Sequence, residues 1–167
     1  MQKSLEYPPP SNSTRSRRIQ NELKKRWLHP QTGGAYEDDK SCYYFNSTEY
    51  ELIFYMLFKR CAVKITLDFA DKCYPFDPPD VYIGDNKYCY REILVPKTKH
   101  ADKLINKCPC CSTIVCMNHW KPIYGFHKIL DEVRETLNLK IRLVELEHCY
   151  KIMTKYFGFY IPIDDFI

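Results

Sequence analysis

Residues 67–83 read LDFADKCYPFDPPDVYI, and their centre, Tyr74-Pro75-Phe76-Asp77-Pro78-Pro79, decides how the rest of the chain is read. Each proline lacks a backbone donor and drives the residue before it toward extended geometry, so no helix or ladder runs through this stretch. It is not a solvated linker either, because Tyr74 and Phe76 interleave with the prolines and apolar runs lie on both sides. Upstream, Val63, Ile65, Leu67 and Phe69 alternate as a half-buried strand does. Downstream, residues 81–83 form a second short strand. The segment reads as a rigid aromatic turn between two strands of a sheet.

Working outward, residues 42–45, 51–58 and 61–69 are rich in aromatic and β-branched side chains and read as strands. Only Lys59 and Arg60 separate the last two, which implies a tight hairpin. Ahead of the sheet, Ile19, Leu23 and Trp27 recur at i, i+4 and i+8, an apolar stripe on one face of a basic helix, with Thr14 or Ser16 positioned to cap it. His29-Pro30 and Gly33-Gly34 end that helix. Beyond the turn, Phe126, Ile129, Leu130, Val133 and Leu137 repeat at helical spacing, and a further amphipathic helix is expected over roughly residues 140–156, ending near Gly158. A helix, an antiparallel four-stranded meander and carboxy-terminal helices make an α+β domain over residues 15–157. Residues 1–14 read as a polar, proline-bearing flexible tail and residues 158–167 as an aromatic tail. Trp27 and Trp120 read as core or core-edge aromatics, and His127 as a solvated or core-rim histidine.

Three phrases in this order resemble the ubiquitin-conjugating (UBC) family. Phe69, Tyr74, Pro75, Phe76, Pro78, Pro79 and Val81 match its "FP-x-x-YPF-x-PP-x-V", with Ala70 standing where the family usually has proline. Arg18-Ile19-Gln20-Asn21-Glu22-Leu23 is similar to the "R-I-x-x-E-L" of its first helix, and Trp120-Lys121-Pro122 to its "W-x-P". The resemblance spans about residues 15–137 and implies a UBC-like fold. It also implies an activity: ubiquitin, or a ubiquitin-like protein, carried as a cysteine thioester and passed to lysine. The implied partners are that modifier, an activating enzyme and a ligase, the latter two docking on the basic helix face of Arg15, Arg17, Arg18, Lys24, Lys25 and Arg26.

The family's cysteine lies eight residues before the tryptophan. Here that position is Ser112, and one inserted residue makes Cys111 the match, followed by the apolar pair Ile114 and Val115. Cys111 is therefore the candidate nucleophile and Cys110 the second choice; thiolate is both nucleophile and good leaving group. Cys116 falls where the family has a buried aliphatic and reads as a packed thiol. The family's His-Pro-Asn phrase is missing. Its asparagine stabilises an oxyanion, and the candidates for that role are Asn106, the first choice, then Asn118, with His100 in the same segment. Cys108-x-x-Cys111-x-x-x-x-Cys116-x-x-His119 also supplies four zinc-type ligands within twelve residues, at a spacing that matches no standard finger. That gives an alternative from another class: a catalytically inactive UBC-like binding or structural protein with a zinc-stabilised loop.

Composition bounds these readings. Nine cysteines form no complete intramolecular pairing, and four crowd into residues 108–116, a pattern of metal or thiol chemistry rather than a secreted disulfide framework. The longest unbroken apolar run, residues 52–58, is far too short to span a bilayer, and no signal-like segment opens the chain. A soluble intracellular protein is expected, of a cell or of a virus particle. Residues 1–30 carry seven basic and two acidic side chains, so the formal charge of +4 sits on the amino-terminal segment. Confined to one helix and without an RNA-binding phrase, that charge argues against nucleic acid as partner.

Overall fold

A computed structural model describes residues 12–27, 34–36, 39–48, 50–58, 61–93 and 113–158. Helix α1 spans Asn12–Arg26. Strands follow at Gly34–Tyr36 (β1), Asp39–Ser47 (β2), Glu51–Phe58 (β3), Cys61–Asp68 (β4), Asp80–Ile83 (β5) and Tyr88–Cys89 (β6). A single turn of helix, Tyr90–Ile93 (α2), comes next, and the long helix Phe126–Phe157 (α3) closes the described chain. The architecture is α+β: one antiparallel sheet whose strands pair in sequence order, β1-β2-β3-β4-β5-β6, with helices.

The sheet has six strands, not the expected four. Strands β1 and β6 are the additions; three and two residues long, they exist through their pairing with β2 and β5. The hairpin between β3 and β4 forms as its short connection implies, with Phe58 opposite Cys61 and a regular register through Glu51 opposite Asp68. Along β3, Leu52, Phe54, Met56 and Phe58 are buried while the alternate side chains face outward. Ile65 and Leu67 of β4 are buried as well, as is Phe69 just past its end. Against the buried face lie Ile19, Leu23 and Trp27 of the α1 stripe and Phe126, Ile129, Leu130 and Val133 from the first half of α3. Rings bridge the layers: Trp27 sits 5.3 Å from Phe54 and 6.0 Å from Tyr44, and Phe54 5.8 Å from Phe126. Each such large side chain contributes about 1.5–3 kcal/mol on burial, which makes this layered face the main source of stability.

Three local expectations are corrected. The first helix begins at Asn12, so Thr14 and Ser16 lie inside it rather than capping it. The two carboxy-terminal helices are one 32-residue helix, because residues 138–140, Asn-Leu-Lys, contain neither the proline nor the glycine that would break it. It stops where Gly158 adopts the left-handed conformation at φ 65°. Arg15 does not belong to an exposed basic face. It is buried, donates to the Phe69 carbonyl at 3.1 Å and lies over the Tyr50 ring, tying α1 to the end of β4. Among the described residues, no helix is long and apolar enough to cross a membrane.

Candidate functional site

The proline turn is built as its composition dictates. Within it the Tyr74-Pro75 peptide is cis. The Cys73 carbonyl accepts from the Phe76 and Asp77 amides, while Asp77 Oδ2 accepts from the Cys73 amide at 3.1 Å. Tyr74 is fully buried with its ring edge-on to Phe69 at 4.9 Å, and Pro78 and Pro79 are buried beside it. Phe76, by contrast, is 62 % exposed, so only one of the two aromatic rings packs inward.

Glu22 joins this turn to both helices. Its Oε1 accepts from the Tyr74 hydroxyl at 2.7 Å and from Arg18 Nε one helical turn away. Its Oε2 accepts from the Phe126 amide at 2.9 Å, at the start of α3. Gly125, the N-cap of α3, has no side chain to cap the helix; Glu22 supplies a carboxylate from 104 residues away. The approach is close enough that a Cβ on Gly125 would fall 2.6 Å from Glu22 Oε2. Burial, and then the Glu22 charge, hold the Tyr74 phenol far above its ordinary 10.0. Nearby, burial and the Arg26 charge pull the His127 imidazole below 6.5, in keeping with a core-rim position.

The segment carrying Trp120 is seated on the same turn. Trp120 is buried, donates its indole N–H to the Pro75 carbonyl at 2.8 Å, and meets Tyr74 tilted at 6.2 Å and Tyr124 edge-on at 5.9 Å. Residues 113–120 coil tightly: the Cys116 amide donates to the Thr113 carbonyl, and the His119 and Trp120 amides donate to the Cys116 carbonyl at 2.9 Å. Val115 is buried and Ile114 packs on the core.

A second, half-buried carboxylate fixes the start of this segment. Glu132, on α3, accepts from the Thr113 hydroxyl and the Tyr90 hydroxyl on Oε1 and from the Ile114 amide at 2.8 Å on Oε2. The Tyr90 proton is committed to Glu132, so at 3.0 Å it is the Thr136 hydroxyl that donates to the Tyr90 oxygen. Arg91 donates to the Val115 carbonyl at 2.7 Å. Burial, and then Glu132, push the Tyr90 phenol well above its usual range. Both Glu22 and Glu132 have their oxygens occupied by donors, so they hold loops in place rather than receive a substrate proton.

Of the candidate site residues, Cys108, Cys110, Cys111, Asn106 and His100 lie outside the described residues. Cys116 is a partly buried free thiol, and His119 and Asn118 are exposed in the turn that follows it. Among the described residues, no group of three or more His, Cys, Asp or Glu is placed to hold a metal ion. Sequence reasoning missed Glu132, Tyr90 and Arg91. The available signal was Glu132 and Thr136, polar residues at i and i+4 beside the apolar stripe of a helix. Glu22 was visible inside the "R-I-x-x-E-L" phrase, but its partners were not. Compared with known proteins, the chain matches no family model, no curated protein and no solved structure.

Proposed function

We propose that this chain is a UBC-like conjugating protein that carries ubiquitin or a ubiquitin-like modifier as a thioester on Cys111 and passes it to a lysine. The observation that supports this most is the hydrogen bond from Trp120 Nε1 to the Pro75 carbonyl. Two of the three phrases on which the UBC resemblance rests, 45 residues apart, meet in that contact, and the third reaches the turn through Glu22 at Tyr74 and reaches Pro122 through Arg18. Thr113, two residues beyond Cys111, is anchored by Glu132, so the cysteine-bearing stretch leads directly into a rigid support.

In the proposed reaction the Cys111 thiolate attacks the thioester carbonyl of a modifier loaded on its activating enzyme. The tetrahedral oxyanion collapses, the activating enzyme's thiolate leaves, and a new thioester forms on Cys111. A lysine amine of the substrate then attacks the same carbonyl, expelling the Cys111 thiolate and losing a proton as the isopeptide forms. Asn106 is the candidate donor to the oxyanion. Arg17, Lys24 and Lys25, exposed on α1, are the basic side chains offered to the activating enzyme and ligase.

One observation favours the inactive, zinc-stabilised alternative. Cys116 and His119, half of the Cys108, Cys111, Cys116, His119 set, share a single turn in which the His119 amide bonds to the Cys116 carbonyl. Both readings are tested on one preparation of the full chain. Incubated with activating enzyme, ATP and ubiquitin, the active protein gives a DTT-sensitive adduct that is lost in Cys111→Ala. Near-stoichiometric zinc by elemental analysis with no adduct sinks the transferase and supports the alternative.

A further inference from the structure

Two side chains crowd one point at the start of α3. Gly125, the N-cap, carries none of its own, and a Cβ there would fall 2.6 Å from Glu22 Oε2 and 2.7 Å from His127 Nδ1. The carboxylate that caps α3 and the imidazole one residue beyond the capped amide are thus neighbours. His127 is half-buried in this corner. Arg26 and Glu22 act on it from α1, and Lys128 and Asp131 from its own helix. The proline turn reaches the corner through the Tyr74 phenol, which is bonded to Glu22 and stays protonated throughout the acid range.

A neutral imidazole suits such a place. A proton on His127 adds a cation near Arg26 and Lys128, at the helix end where the dipole is already positive. It also makes both ring nitrogens donors, so that the imidazolium competes with the Phe126 amide for Glu22 Oε2. Glu22 and Asp131 favour the charged ring, but burial and then Arg26 outweigh them and hold it below 6.5. We propose that His127 is an acid-sensitive latch at the junction of α1 and α3: neutral, it leaves Glu22 on the Phe126 amide; protonated, it draws the carboxylate away and loosens α1 from its seat. Because Glu22 also holds Tyr74, the loosening extends to the proline turn.

Acid is the loosening direction. The unfolded imidazole takes up its proton near 6.5 and the folded one only at lower pH, so between the two the unfolded chain binds more protons. The contribution of neutral His127 is complete above that range and is lost as pH falls through it. Proton NMR of the full chain tests this. The His127 ring resonance, identified by its loss in His127→Gln, should titrate with a midpoint below 6.5. Protection of the Phe126 amide against hydrogen exchange should fall with the same midpoint. Between about pH 7.5 and about pH 5.5 the urea midpoint should drop further in the wild type than in His127→Gln, whose side chain stays neutral. The other histidines are common to both chains, so the difference belongs to residue 127. A ring that titrates at 6.5 or above, a Phe126 amide whose protection ignores the His127 titration, or equal acid losses in the two chains overturns the proposal.

Discussion

Replacing Glu22 by alanine removes one side chain and disconnects three elements. The Tyr74 hydroxyl, in a residue with no exposed surface, loses its acceptor, and so does the Phe126 amide at the start of α3. A buried donor left unsatisfied costs about 1–3 kcal/mol, so the two together give about 3–4 kcal/mol. Arg18 adds little, being partly exposed with a second contact at the Pro122 carbonyl. For a domain of ordinary stability, about 5–15 kcal/mol, that is a large fraction. At a urea m-value of ~2 kcal/mol/M it moves the unfolding midpoint down by about 1.5–2 M. Tyr74→Phe deletes the hydroxyl without stranding it and should cost about 1 kcal/mol. In the Tyr74→Phe background Glu22→Ala strands only the Phe126 amide, so the double variant should fall short of the summed effects by about 1–2 kcal/mol. Additivity to within ~0.5 kcal/mol would refute the shared bond, and a Glu22→Ala loss under ~1 kcal/mol would refute the carboxylate as a hub.

Two further outcomes follow from the same side chains. Glu132→Ala strands the Thr113 hydroxyl, the Ile114 amide and the Tyr90 hydroxyl and should lower stability by about 2–4 kcal/mol, whereas Thr113→Val costs about 1 kcal/mol; equal urea midpoints for the two would speak against a clamp centred on Glu132. Alkaline pH should destabilise the fold. The Tyr74 and Tyr90 phenols are raised in the folded state from 10.0, so the folded chain holds protons the unfolded chain releases. Their contribution is complete below pH 10 and falls above it, by at most ~1.4 kcal/mol per pH unit for each group. Thermal melts from pH 8 to 11 should show this decline, and Tyr74→Phe/Tyr90→Phe should flatten it relative to the wild type.

The strands were legible where alternation is strong. Residues 51–58 were read as Glu51–Phe58 appears, and β4 ends one residue earlier than the expected residue 69. Strands β1 and β6 were not, because two or three residues carry no period and their pairing is decided by the neighbour strand. The break expected near residue 138 failed for a different reason. The apolar stripe changes face there, and a change of face resembles a change of element when only periodicity is read. The proline turn pointed to a junction of strands, yet the hubs that fix it were hidden. Glu22 and Phe126 are 104 positions apart, and Glu132 and Thr113 belong to different kinds of segment. A buried carboxylate looks like a surface charge until its donors are known.

The sheet ends in strands of three and two residues, and β1 carries a register shift between Ala35 and Tyr36. So brief a row of unpaired backbone groups offers little for an incoming extended segment to hydrogen-bond with. Recruitment of a partner by adding a strand to either margin is therefore disfavoured, as is runaway sheet-to-sheet stacking between copies. The described margins of the sheet therefore favour engagement through side chains, whose contacts can be released and re-made without unzipping the sheet.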